Sequence, residues 1–147
     1  DAVPGYEIRL REALSEIWLL LFEEARPLLE KKQGAGKSSE SIKQMMVYVH
    51  EHYSEKISVA QIAKAAFLSE RECFRLFRDC LHMTPAEYIK SYRLQKACQM
   101  LAGTSEPLTV VSQACGLGSS SYFGKVFREH AHCTPSEYRQ KWQDFDR

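Results

Sequence analysis

The chain has 147 residues, 44% of them hydrophobic and 27% charged, and a formal net charge of +1 from 20 Lys+Arg against 19 Asp+Glu. That length suits one domain or two very small ones, and the composition excludes wholesale disorder. The longest apolar run, Ile17 to Phe22, is too short to cross a bilayer, and no basic-then-apolar leader points to secretion.

Tyr6 to Lys32 predicts a helix, with Leu10, Leu14, Ile17, Leu21, Leu28 and Leu29 at near-helical spacing. Trp18, Leu19, Leu20 and Phe22 spread the apolar surface beyond one face, so this helix needs cover on several sides. Pro27 kinks it or ends its regular part. Gln33 to Ser39 has flexible-linker composition, which places a linker at 33–40. From Ser41 to about Trp142 the chain reads as a run of short helices, with no convincing strand alternation. Charge divides at the linker: residues 1–40 hold 6 Lys+Arg and 8 Asp+Glu, net −2, and residues 41–147 hold 14 and 11, net +3.

An internal repeat organises the second part. Thr84-Pro85-Ala86-Glu87-Tyr88 recurs 50 residues later as Thr134-Pro135-Ser136-Glu137-Tyr138. At the same offset Phe77-Arg78-Asp79 recurs as Phe127-Arg128-Glu129, and Ser69 matches Ser119. Upstream the offset falls by one, so Ile62, Ala63 and Leu68 match Val111, Ser112 and Leu117, and the second copy carries one extra residue near Gly118. In the pentapeptide Thr is an N-cap, Pro suits the first helical position and Glu reaches back to the cap amide. Ser69-Glu70-Arg71-Glu72 is another capping box.

Each repeat parses as helix, short turn, helix. In the first, Val59, Ile62 and Ala63 face inward, a turn follows around Phe67-Leu68, and Cys73, Leu76, Phe77 and Cys80 form the inner stripe of the second helix. In the second, Leu108 and Val111 face inward, Gly116-Leu117-Gly118 makes the turn, and Phe123, Val126, Phe127 and His130 repeat the stripe. This is the helix-turn-helix pattern. The expected fold class is all-α: a first helix-turn-helix subdomain at about 58–81, a linker helix at 85–102 and a second subdomain at about 108–131, preceded by the separate N-terminal helix.

The inner stripes leave Arg71, Phe74, Arg75 and Arg78 outward on the first copy, and Ser121, Gly124, Lys125 and Arg128 on the second. Arginine bonds guanine in a bidentate way and an apolar ring meets a thymine methyl, so this face suits a DNA major groove. Ser120, Ser121, Tyr122 and Lys125 can bond phosphates or base edges. Gly124 costs its helix about 1 kcal/mol relative to Ala; close backbone approach to a partner or mere drift would account for it. A solvated basic face, with Tyr122 packed on a neighbouring helix, is the plain alternative. The linker helix spans roughly 25 Å, a spacer fit to set two reading helices about one DNA turn, on the order of 34 Å, apart. Arg93 and Lys96 on it read as solvated or ion-paired.

The five cysteines, Cys73, Cys80, Cys98, Cys115 and Cys133, are odd in number and form no CxxC pair. They read as reduced thiols of a cytoplasmic protein, mostly buried. His130, His132 and Cys133 lack the second half of a zinc site and read as a turn, so no metal and no cofactor is expected. No nucleophile–base pair in a cleft, Gly-rich phosphate loop or paired carboxylates suggests an enzyme.

These residues resemble the AraC/XylS family of bacterial transcription regulators, over about Ser41 to Trp142. The resemblance rests on the two units joined by a helix and on Tyr88-Ile89-Lys90-Ser91-Tyr92-Arg93-Leu94. It rests further on the second-unit series from Val111 through Gly116-Leu117, Ser121-Tyr122-Phe123 and Phe127-Arg128 to Thr134-Pro135-Ser136-Glu137-Tyr138-Arg139. Phe67 departs from it, since the first turn often carries a smaller residue. The resemblance implies double-stranded DNA as partner, with each unit's second helix in successive major grooves. Arg71, Phe74 and Arg75, then Ser120, Ser121, Tyr122, Gly124 and Lys125, are the implied contacts. It also implies a preceding effector and dimerisation domain that binds a small molecule. The 6–32 helix is then its closing helix and a homodimer contact, and RNA polymerase a further partner. The opening Asp1, in place of Met, fits a piece of a longer regulator. The near-neutral total, which leans against nucleic acid, is no obstacle: affinity depends on cations gathered on one surface. The rival function is a helical protein–protein adaptor.

Overall fold

A computed structural model describes residues 16–21 and 35–145, and every regular element among them is helical. Contacts divide the chain into two units, one spanning Leu14–Lys90 and the other containing Ser91–Arg147.

In the first unit, residues 16–21 are helical, with Ile17, Trp18, Leu20 and Leu21 about half exposed. The rest of the expected 6–32 helix lies outside the described residues. Helix α1, Ala35–His52, begins inside the 33–40 segment, so that segment is not a flexible linker from Ala35 onward. The reason is packing: Ile42, Met45, Met46 and Val49, at i, i+3, i+4 and i+7, are buried and Ser41 with them. That face overrides the poor helix propensity of Gly36, Ser38 and Ser39.

Helix α2 is Val59–Ala65, and Ile62 and Ala63 are its buried face. Ser58 starts it with a full capping box: its hydroxyl accepts from the Gln61 amide at 3.2 Å, and the Gln61 side chain accepts from the Ser58 amide at 2.9 Å. The turn ends in a left-handed residue, Phe67, at φ 57°. The Leu68 amide donates to the Ala63 carbonyl at 2.9 Å, which closes the helix end. Helix α3, Glu70–Leu76, is capped by the Ser69 hydroxyl, which accepts from the Glu72 amide.

The stripe on α3 holds at Cys73, Leu76 and Phe77 but fails at Cys80, which is exposed. From Phe77 to Leu81 the chain forms a π-helical turn. Its wider i→i+5 pitch rotates Cys80 off the line that 3.6-residue periodicity draws. His82, left-handed at φ 55°, stops this segment. Tyr88 closes the unit: its hydroxyl lies 2.6 Å from His50 Nε2, and its ring packs 5.6 Å from that of Phe77.

Helix α4, Pro85–Gly103, begins in this unit and runs into the other. Thr84 and Glu87 cap it reciprocally, at 3.1 and 2.9 Å.

In the second unit, α5 is Leu108–Ala114, α6 is Ser120–Ala131 and α7 is Pro135–Phe145. Thr134 and Glu137 repeat the reciprocal cap, and Ser119 caps α6 as Ser69 caps α3. The core joins Leu94, Ala97, Cys98 and Leu101 of α4 to Val111, Cys115 and Leu117, to Phe123, Val126, Phe127 and Ala131 of α6, and to Tyr138 and Trp142 of α7. Ala131, not His130, closes the α6 stripe; His130 is only half buried, as is Leu108 on α5. Gly116 and Gly118 both sit at φ 73°. The buried Ser112 hydroxyl lies 3.0 Å from the carbonyl oxygens of both Thr109 and Gly118, which share its one proton, and so secures the turn that holds the extra residue. Arg139 Nη2 donates to the Glu106 carbonyl at 2.5 Å and Gln143 Nε2 to that of Thr104 at 3.1 Å. These bonds tie α7 to the chain leaving α4.

Candidate nucleic-acid interface

The caps and turns that end one helix and start the next decide which faces stay outside. On α3 and its π-helical extension, Arg71, Phe74, Arg75 and Arg78 are all exposed, Phe74 at 45%. The face is not purely cationic. Glu70, Glu72 and Asp79 are exposed beside it, and Arg78 Nε lies 3.6 Å from Asp79 Oδ1. Such a surface pair is worth about 0–1 kcal/mol and leaves the guanidinium free to exchange partners.

On α6, Ser120, Ser121, Tyr122, Lys125 and Arg128 are exposed and Gly124 is half buried. Six of this unit's outward residues border one open groove of about 540 Å³: Ser120, Ser121, Gly124, Lys125, Arg128 and Glu129. Thr134 and Ser136, from the start of α7, line the same groove. Ser136 is absent from the sequence candidates, because its repeat partner Ala86 is inert. The one available signal was that single Ala-to-Ser difference inside an otherwise matched pentapeptide.

Arg93 is half buried on α4. Burial pushes its pKa down, and the Tyr122 hydroxyl on α6 pushes the other way. An arginine stays charged through such a shift. Arg93 therefore remains a cation although half buried. Lys96 leans over the Tyr92 ring at 5.3 Å.

No group of three or more His, Cys, Asp or Glu among the described residues could hold a metal. His130, His132 and Cys133 form no such group. His132 is the left-handed stop of α6 at φ 59°, as His82 is in the first unit, and Cys133 is buried. Among the described residues no helix is long and apolar enough to cross a membrane.

A family profile described as a helix-turn-helix domain matches residues 62–141. An uncharacterized HTH-type transcriptional regulator of Bacillus subtilis, YdeC, is 37% identical over 135 residues, 92% of this chain and 46% of YdeC. A crystal structure of an AraC-type DNA-binding domain-containing regulator from Chromobacterium violaceum superposes with TM-score 0.69 and 30% identity, over 71% of this chain and 94% of that one. The chain belongs to the AraC-type helix-turn-helix family. As a member of the AraC-type family it is a DNA-binding module of transcription regulation. The DNA-binding domain of AdpA, solved in complex with a target DNA, shares the AraC-type fold at TM-score 0.66 and 23% identity, over 70% of this chain and 93% of that one. The chain spans less than half the length of YdeC.

Proposed function

We propose that this chain is the DNA-binding part of a longer regulator and reads a duplex with two recognition helices, α3 and α6, in adjacent major grooves. One observation carries the reading. The same register of a repeated helix-turn-helix, 71-74-75-78 and 121-124-125-128, is outward in both units and holds five of the protein's cations. In the first unit Arg71 and Arg75 take guanine edges and Phe74 a thymine methyl, the pairings that side-chain geometry favours. In the second, Ser120, Ser121 and Tyr122 take phosphates or base edges, and Lys125 and Arg128 supply charge. Arg78 serves phosphate in the first unit.

A homodimer through the 6–32 helix, an effector domain that this helix closes and contact with RNA polymerase complete the proposal. The regulator works in the cytoplasm, where five free cysteines stay reduced. No catalysis and no cofactor is assigned to it.

Selection from random duplex DNA tests the core of this. The expected result is a site with two short blocks about one helical turn apart, and affinity that falls steeply with salt. A single block would reduce the second unit to phosphate contact. No enrichment at moderate salt would favour the protein-binding adaptor and end the DNA reading.

A further inference from the structure

Gly124 stands in the middle of α6, where a glycine weakens the helix. Its conformation does not call for glycine, since its backbone lies outside the left-handed region. Packing does not call for it either: a Cβ built at 124 meets nothing within 4 Å. Yet the position belongs to the open groove that Ser121, Lys125 and Arg128 also border. Inside the free protein, nothing accounts for the missing side chain.

We infer that Gly124 is a specificity-determining seat for a thymine 5-methyl group. The inference rests on the DNA reading above. Its logic is chemical. Gly124 is the fifth residue of α6, beyond the first turn whose amides lack partners, so its own N–H is committed to the helix. What remains at the surface is bare Cα, which offers no donor or acceptor. On the major-groove edge of a base pair the apolar group is the thymine methyl. The repeat supports this: the residue at the same register in the first unit is Phe74, also apolar and 45% exposed. The ring reaches out to its partner, and the glycine lets its partner come in. Lys125 and Arg128 flank the seat with the charge that holds the backbone close.

The test pairs a bump with a hole. Gly124→Ala is introduced into the full chain, and its binding is measured on the duplex selected by the unmodified chain and on a random duplex. Each thymine of the selected site is then replaced in turn by deoxyuridine, which lacks the methyl. Gly124→Ala should raise Tm by about 4 °C through helix propensity. It should lose roughly tenfold in affinity on the selected duplex and nothing on the random one. Deoxyuridine at one position should restore most of that loss for Gly124→Ala while weakening the unmodified chain a few-fold. Equal binding by Gly124→Ala and the unmodified chain overturns the inference. So does a loss shared by all duplexes, or one that no deoxyuridine relieves. If the unmodified chain selects no sequence, the DNA reading fails first and takes the seat with it.

Discussion

At the turn of the first unit the left-handed residue is Phe67, φ 57° and 91% exposed; at the same turn of the second unit it is Gly116, φ 73°. Both turns close with the same bond, from the residue after it back to the carbonyl five residues earlier, 2.9 Å in one and 2.8 Å in the other. The hydrogen bonding is thus set by the motif, while the residue that bends the chain is free to vary. The second helices differ in the same spirit. α6 is regular over 12 residues, whereas α3 passes into a π turn after seven. Their caps match, their inner aromatics Phe77 and Phe127 match, and so do the outward cations at 75/125 and 78/128, while the outward residues at 71/121 and 74/124 diverge from Arg and Phe to Ser and Gly. The comparison separates what a helix-turn-helix needs in order to form from what each copy presents.

The sharpest way to break the equivalence is through the inner aromatics. Phe77 and Phe127 are both fully buried. Phe77→Ala and Phe127→Ala should each cost about 3–5 kcal/mol. Denaturant unfolding followed by probes in each unit should show only the unit that carries the substitution losing its stability, if the two are independent. A single shared transition in both variants would show that α4 couples them. The outward residues come next in size. Arg75→Ala should weaken binding to the selected duplex by about 1–3 kcal/mol and relax the base preference at one position. Lys125→Ala, at the matching register, should weaken selected and random duplexes alike and lower the salt slope by about one. A sequence-dependent loss for Lys125→Ala would put base reading in the second unit as well.

How much of this was legible in the residues follows from what repeats. The two Thr-Pro-x-Glu-Tyr caps, the paired Ser69 and Ser119 caps and the stripe through Phe123, Val126 and Phe127 are local and periodic, and the structure has them where the pattern puts them. The ten candidate contacts fall on exposed or, for Gly124, half-exposed positions for the same reason. Three things escaped. Helix α1 reaches back to Ala35 because Ile42, Met45, Met46 and Val49 are buried, which the composition of Gln33 to Ser39 conceals. The π turn at Phe77–Leu81 breaks the period on which the stripe was drawn. Ser136 gains its place from an element distant in sequence, the groove beside α6. Each is a tertiary effect that one chain's local pattern does not encode.

The turn itself gives a smaller effect with opposite signs in the two units. A non-glycine residue in the left-handed region costs roughly 1–2 kcal/mol. Phe67→Gly should therefore stabilise the first unit by about 1 kcal/mol, and Gly116→Ala should destabilise the second by a similar amount, both read as Tm shifts. Phe67 is exposed, so its removal leaves no cavity to offset the gain.

The smallest effect belongs to the register break after Phe77. Cys80 is exposed, so Cys80→Ser should change stability by less than about 0.5 kcal/mol, whereas the buried Cys73 should not tolerate serine so well. Thiol labelling makes the same distinction without mutation. Cys80 should react first and alone in the folded chain, because Cys73, Cys98, Cys115 and Cys133 are buried. Its reaction should still be slow near neutrality. Partial burial and the Asp79 carboxylate push its pKa up against the opposing pull of Arg75. A raised pKa leaves less thiolate at neutral pH, so the labelling rate should climb as pH passes the ordinary thiol range. Cys73 and Cys115, pushed up to about 11 chiefly by burial, should label only on unfolding. Were Cys80 protected as well, the α-helical register would continue through 77–81, and the two recognition helices would be alike after all.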